Sequence, residues 1–293
     1  MTDAPQKQSS IKKALKLILK VGLSLGAIFI IYQKVDVNEA MVYLRKTHWG
    51  YLFLGFLAFV GSKAFGAPRI NRFYRSQGLV ITDVLSTKLY FLGMFYNLFL
   101  PLVGGEGYKA FWLKKRYDVK VKTLVWSALL DRASGLVALV MLTVLFFMQS
   151  SFDLPYKWLA LLLIPLTYLG QFLVMKWFFK SFVSAWLSTS LYSLGVQCCQ
   201  AITVYLVVLS LGIDANILDY VFVFLLATFA FIIPMVGARE MAFVFGADYL
   251  GLNTEISLAI GLLFYLSMAL TSLLGASFLL FPKSLEKHVQ VAD

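Results

Sequence analysis

Eight charged residues interrupt stretches of this sequence that are otherwise apolar: Lys63, Lys88, Glu106, Lys109, Asp131, Arg132, Arg239 and Glu240. A charge at the centre of a bilayer costs about 2.5–3.5 kcal/mol on insertion scales, so such residues mark function or a buried partner. Two are arginines, whose planar fork suits a bidentate contact with phosphate. The three acids can serve as counter-charges or as bases. Asp131 and Arg132 are adjacent, and neighbours in sequence do not face one another on a helix. Each is therefore expected to find its partner elsewhere, either as an interhelical salt bridge or at a substrate. Glu106 and Lys109 open a helix after a Pro/Gly break, and Arg239 and Glu240 do the same after a second one. The helix dipole favours an acid there and disfavours a base. Arg239 thus needs an anion nearby and is the first phosphate-binding candidate, with Arg132 second. Lys109, Glu106, Asp131 and Glu240 complete the expected headgroup site. Lys63 and Lys88 are read as bases near enough to a helix end to snorkel. With them included, the eight residues sum to +2, a balance that fits an anionic group.

No metal or cofactor is expected. Cys198 and Cys199 are adjacent in an apolar run and are read as packing residues. His48 and His288 lie near no carboxylate pair and no nucleophile motif.

The surrounding composition fixes the class. Of 293 residues, 60% are hydrophobic and only 14% charged, and mean hydropathy is +0.80. Soluble domains run near 25% charged, so a soluble globular enzyme is excluded. The expectation is an all-α polytopic membrane protein with about six full spans. These are Leu15–Tyr32, Trp49–Ala67, Lys122–Met148, Trp158–Met175, Thr189–Gly212 and Ile256–Phe281. Residues 1–14 and 282–293 form short tails, and residues 15–281 one membrane domain. The first span follows Lys12, Lys16 and Lys20, and no small-residue cleavage site follows it, so it is read as retained. Trp49, Trp158, Tyr32 and Tyr156 fit an aromatic belt. A short interfacial helix is expected at Asn38–Lys46.

Two further apolar stretches break at proline and glycine. The first, about 83–113, breaks at Pro101, Gly104 and Gly105. The second, about 217–250, breaks at Pro234 and Gly237. Read as re-entrant hairpins with a cytoplasmic N-terminus, they leave 18 bases inside and four outside; read as full spans they give 11 on each side. Only the hairpin reading obeys the positive-inside rule. It puts both termini in the cytoplasm and accounts for most of the +11 net charge by topology, so nucleic acid is excluded as a partner. The hairpins then enter from opposite sides, and share Pro-x-Val-Gly at an offset of 133 residues (Pro101/Pro234, Gly104/Gly237). Opposed repeats with broken helices are a transporter architecture.

Asn97-x-x-Leu100-Pro101-x-x-Gly104-Gly105-Glu106-x-x-Lys109, with Asp131-Arg132-x-x-Gly135 and Pro234 to Gly237-x-Arg239-Glu240, resembles the lysylphosphatidylglycerol synthase transmembrane family. This is the flippase part of the multiple peptide resistance factor. The resemblance spans roughly Leu15 to Phe281 and adds Asn97 to the candidate site. It implies a bacterial inner-membrane protein that moves an anionic or aminoacylated phospholipid, or a polyprenyl-phosphate lipid, between leaflets. In the family the synthase chemistry belongs to a separate soluble domain, so aminoacyl transfer is not expected of this chain. Two alternatives stay open. One is a non-transporting membrane partner of a lipid-synthesising enzyme. The other is an intramembrane transferase with Glu106 or Asp131 as base or nucleophile. Assembly with a second copy also stays open.

Overall fold

Inside a bilayer the backbone has no water to bond with, so long apolar segments close their own hydrogen bonds as helices. A computed structural model describes residues 37–99, 104–117, 119–232, 237–280 and 285, and among these there is no strand. The helices are α1 (Val37–Arg45), α2 (Trp49–Ser76), α3 (Asp83–Phe99), α4 (Gly104–Tyr117), α5 (Val121–Gln149) and α6 (Leu163–Phe178). They continue with α7 (Trp186–Ser210), α8 (Ile217–Thr228), α9 (Ala238–Tyr249), α10 (Thr254–Leu273) and α11 (Ala276–Leu280). Short 3-10 turns at Lys157–Leu162 and Lys180–Ala185 lead into α6 and α7. Five segments are long and apolar enough to cross a membrane: Trp49–Ser76, Val121–Gln149, Lys157–Phe178, Lys180–Ser210 and Thr254–Phe278. The chain is an all-α, multi-pass membrane protein. The expected first span and both tails, apart from Leu285, fall outside the described residues, as do Pro101 and Pro234.

One span differs from its expected length in a way that matters. The sequence suggests an end at Ala67, before Pro68 and three arginines. The helix instead runs through Pro68 to Ser76, 28 residues in all. At 1.5 Å per residue it is about 42 Å long. What carries it past the proline is the pairing of its polar end. The Asn71 amide donates to Asp83 and to the Ile81 carbonyl, Arg75 donates to Asp83, and Ser86 donates to the Ala67 carbonyl. These bonds seat the start of α3 against the far end of α2. The longer helix also relocates Lys63 and Arg69. Lys63 stands at the midpoint of α2 and is buried, so it does not snorkel. Arg69, counted from sequence as a cytoplasmic topology charge, is buried too.

α7 runs antiparallel to α2 along a seam opened by glycines. A side chain at Gly55 would meet the Thr203 carbonyl, and one at Gly195 would strike the Phe65 ring. α5 also opposes α2. Arg69 meets Asp131 near one end, and Leu139 and Leu142 join Leu52 and Phe59 in one apolar cluster toward the other. α6 lies at the periphery, with Leu162, Leu166, Leu169 and Trp177 exposed along it and its turn. That surface is what a lipid-facing helix presents.

α3 and α4 form a hairpin. Gly93 abuts Gly105, Tyr96 stacks on Tyr108 at 4.4 Å, and Tyr90 lies beside Lys109. Tyr90 and Gly93 meet Lys109 while Asn97, further along α3, meets Gly105 at the start of α4, the opposite sequence order that antiparallel limbs require. α8 and α9 form a second hairpin by the same criterion, through Phe224–Phe243 and Val223–Gly246. Their entry points are opposed. α3 starts at the Ser76 end of α2. α8 starts where α5 ends, with Asp219 accepting from the Ser151 amide and hydroxyl. That is the Trp49 end of α2, where the His48 amide also donates to the Ser210 carbonyl. Each limb of the second hairpin begins 134 residues after its counterpart, Ile217 against Asp83 and Ala238 against Gly104. At that register Glu240 falls on Glu106, a correspondence one residue away from the Pro-x-Val-Gly match.

Candidate functional site

One charge pair joins three helices. Arg69 on α2 forks onto Asp131 on α5, Nε to Oδ1 at 2.7 Å and Nη2 to Oδ2 at 2.8 Å. Its Nη1 donates to Ser193 Oγ on α7 at 3.1 Å, and Ser193 shares a 2.8 Å hydrogen bond with Ser134 on α5. Gly135 makes room for this. A side chain there would meet Arg69 Nη1 at 3.2 Å, and the Gly135 carbonyl accepts from the Gln197 amide. Asp131 does pair away from its sequence neighbour, as helix geometry demands. Arg132 is half-buried and takes no part in this pair.

The first hairpin brings a second charged pair close to this node. Asn97 near the end of α3 accepts from the Gly105 amide at 2.8 Å. It thereby satisfies one of the free N–H groups of the first turn of α4. A side chain at Gly105 would lie 2.2 Å from the Gly93 carbonyl, so the two limbs touch backbone to backbone. Glu106 then sits in the first turn of α4, where the dipole favours an acid. Buried Lys109 reaches it one turn on, Nζ to Oε1 at 2.8 Å. Glu106 is within electrostatic range of Arg69, Tyr74 and Tyr90. Arg69, Asp131, Glu106, Lys109 and Tyr90 therefore form one polar group.

The second hairpin is built differently. Gly237 takes φ +83° just before α9, a left-handed conformation that glycine adopts without steric cost. Arg239 follows, buried and paired with Glu240. Its guanidinium lies 5.1 Å from the Phe224 ring centroid and 4.8 Å from that of Phe264. Its Nε has no hydrogen-bond partner among the described residues. Gly261 on α10 leaves room for Glu240, whose Cγ would be 3.4 Å from a side chain there.

The sequence-derived site thus divides in two. Asn97, Glu106, Lys109 and Asp131 gather around the first hairpin, together with Arg69. Arg239 and Glu240 stand at the second, behind Phe224 and Phe264. Lys88 is half-buried on α3. Of the breaks, Gly104, Gly105 and Gly237 stand at helix starts. Arg69 is the residue that sequence reasoning missed. The available signal was the need of Asp131 for a base on another helix. Cys198 and Cys199 are free thiols in α7. No His/Cys/Asp/Glu group among the described residues is placed to hold a metal ion.

A family model described as the lysylphosphatidylglycerol synthase TM region matches residues 17–275. No curated protein matches the chain, and neither does any solved structure.

Proposed function

The chain belongs to the lysylphosphatidylglycerol synthase TM region family, and on that premise we propose that it carries a phosphate-bearing lipid between leaflets. The observation behind this reading is the pair of hairpins that enter from opposite ends of α2. Each presents a base and an acid at the first turn or two of its inner helix, Lys109 with Glu106 and Arg239 with Glu240. Intramembrane charges of this kind mark substrate pathways, and opposed broken helices support alternating exposure. The headgroup would sit between the hairpins while the acyl chains stay in lipid.

The proposal is a carrier with no covalent step. It places the protein in the bacterial inner membrane with both termini in the cytoplasm. An anionic or aminoacylated phospholipid or a polyprenyl phosphate is the substrate class. Association with a lipid-synthesising enzyme or a second copy is compatible with it.

The test is leaflet-resolved scrambling of fluorescent phosphatidylglycerol and phosphatidylcholine in proteoliposomes. The wild type is expected to move the anionic lipid, and Arg239→Gln to slow it tenfold or more while remaining folded. Wild-type vesicles no faster than protein-free ones would overturn the reading.

A further inference from the structure

Lys63 stands 14 residues from Trp49 and 13 from Ser76 in α2, and only 5% of it is exposed. Three other buried bases each hold a carboxylate: Arg69 with Asp131, Lys109 with Glu106, and Arg239 with Glu240. Among the described residues no carboxylate pairs with Lys63. Its Nζ lies instead 3.7 Å from the centroid of the Phe59 ring. The titratable groups near it are Arg69, a like charge, and the Cys199 thiol across the α7 seam. A cation–π contact is weak beside the desolvation cost of burying an ion. The aromatic face therefore leaves this cation short of a counter-charge.

The position of Phe59 gives that deficit a direction. Its ring meets Phe264 edge to face at 5.3 Å, and Phe264 is one of the two rings that flank Arg239. Lys63 and Arg239 thus occupy the two ends of one phenylalanine pair. Arg69, six residues along α2 from Lys63, belongs to the polar group of the first hairpin. Lys63 is the base that stands between the two halves of the divided site.

We infer that Lys63 is the open counter-charge position of this site: it seats a phosphate group between the first-hairpin node at Arg69 and the second-hairpin arginine. The inference rests on the lipid-carrier reading for its ligand and goes beyond it by naming a residue outside both hairpins. The bound chemistry is a phosphate group of net negative charge, carried by an anionic lipid headgroup or present as the free ion.

Two measurements test it on the full chain in detergent. The first is native mass spectrometry of retained lipid after mixing with equimolar phosphatidylglycerol and phosphatidylcholine. Lys63→Gln is expected to lower phosphatidylglycerol retention at least tenfold without changing phosphatidylcholine retention, and Lys63→Arg to restore most of it. Retention of phosphatidylglycerol above phosphatidylcholine to the same extent by Lys63→Gln and wild type overturns the inference. The second is thermal unfolding of Lys63→Met, which removes a buried charge from an apolar site. Its midpoint is expected to rise, and to lose the further rise that phosphatidylglycerol gives the wild type. The same lipid-dependent rise in both proteins overturns the inference. Inorganic phosphate separates the sources. If it stabilises the wild type but not Lys63→Met while phosphatidylglycerol does neither, the seat stands and its ligand is the free ion. Lys63-dependent lipid binding without wild-type scrambling would support the seat while refuting the carrier reading.

Discussion

Both hairpins hold a base by an ion pair and an aromatic face, but in different proportions. At the first, each charge is fixed by directed bonds: Asn97 to the α4 amide, Lys109 to Glu106, and, beside them, Arg69 forked onto Asp131. At the second, among the described residues, Arg239 bonds one carboxylate, Glu240, and lies against two aromatic faces, and its Nε is unbonded. Directed bonds specify one geometry. Aromatic faces attract a cation over a range of positions. The first hairpin therefore reads as the fixed half of the site and the second as the half that can adjust.

The largest expected effect falls on the fixed half. Asp131→Asn leaves Arg69 buried without its charge partner and is expected to cost about 3–5 kcal/mol. Denaturation in detergent measures it. Replacing both, Arg69→Met with Asp131→Leu, is expected to recover most of that loss. A double variant as unstable as Asp131→Asn would show that the pair does more than neutralise itself.

Next comes the contact between the limbs. Gly105→Ala drives a methyl into the Gly93 carbonyl and is expected to cost about 1–3 kcal/mol. Gly107→Ala, with open space around it, serves as the neutral control. Equal melting midpoints for the two would break the idea of a rigid first hairpin. Asn97→Ala removes the cap on α4 and is expected to cost about 1 kcal/mol. Hydrogen exchange of the Gly105 amide reads this locally. The smallest effect belongs to the adjustable half. Phe264→Leu weakens one face of the Arg239 cage, with about 0.5–1 kcal/mol of cation–π attraction at stake. It is expected to change lipid scrambling more than unfolding. The reverse pattern would make the cage a packing device.

Hydropathy made most of the fold legible. The hairpin limits expected near 83 and 217 coincide with the starts of α3 and α8, and a short helix, α1, stands where one was expected at Asn38–Lys46. The two helix pairs stand where charge counting led the sequence to expect hairpins. The same counting hid Arg69. A base after Pro68 and close to Arg72 and Arg75 looks like an interfacial charge, and hydropathy falls where α2 continues. The partition of the site into two groups was also hidden. It depends on where Phe59, Phe224 and Phe264 stand, and an apolar residue carries no sign in sequence of which charge it faces.

The sequence separation of 62 between Arg69 and Asp131 matters before the protein is complete. The chain is made from its N-terminus, so α2 reaches the membrane with Lys63 and Arg69 while α5 is still unmade. At about 2.5–3.5 kcal/mol for each central charge, α2 is a poor candidate to partition into lipid alone. Its natural course is to wait beside the insertion machinery until Asp131 arrives, and α2, α3, α4 and α5 then enter as one unit. A ribosome stalled before Asp131 should thus hold α2 crosslinkable to the translocon, and one stalled well after it should not.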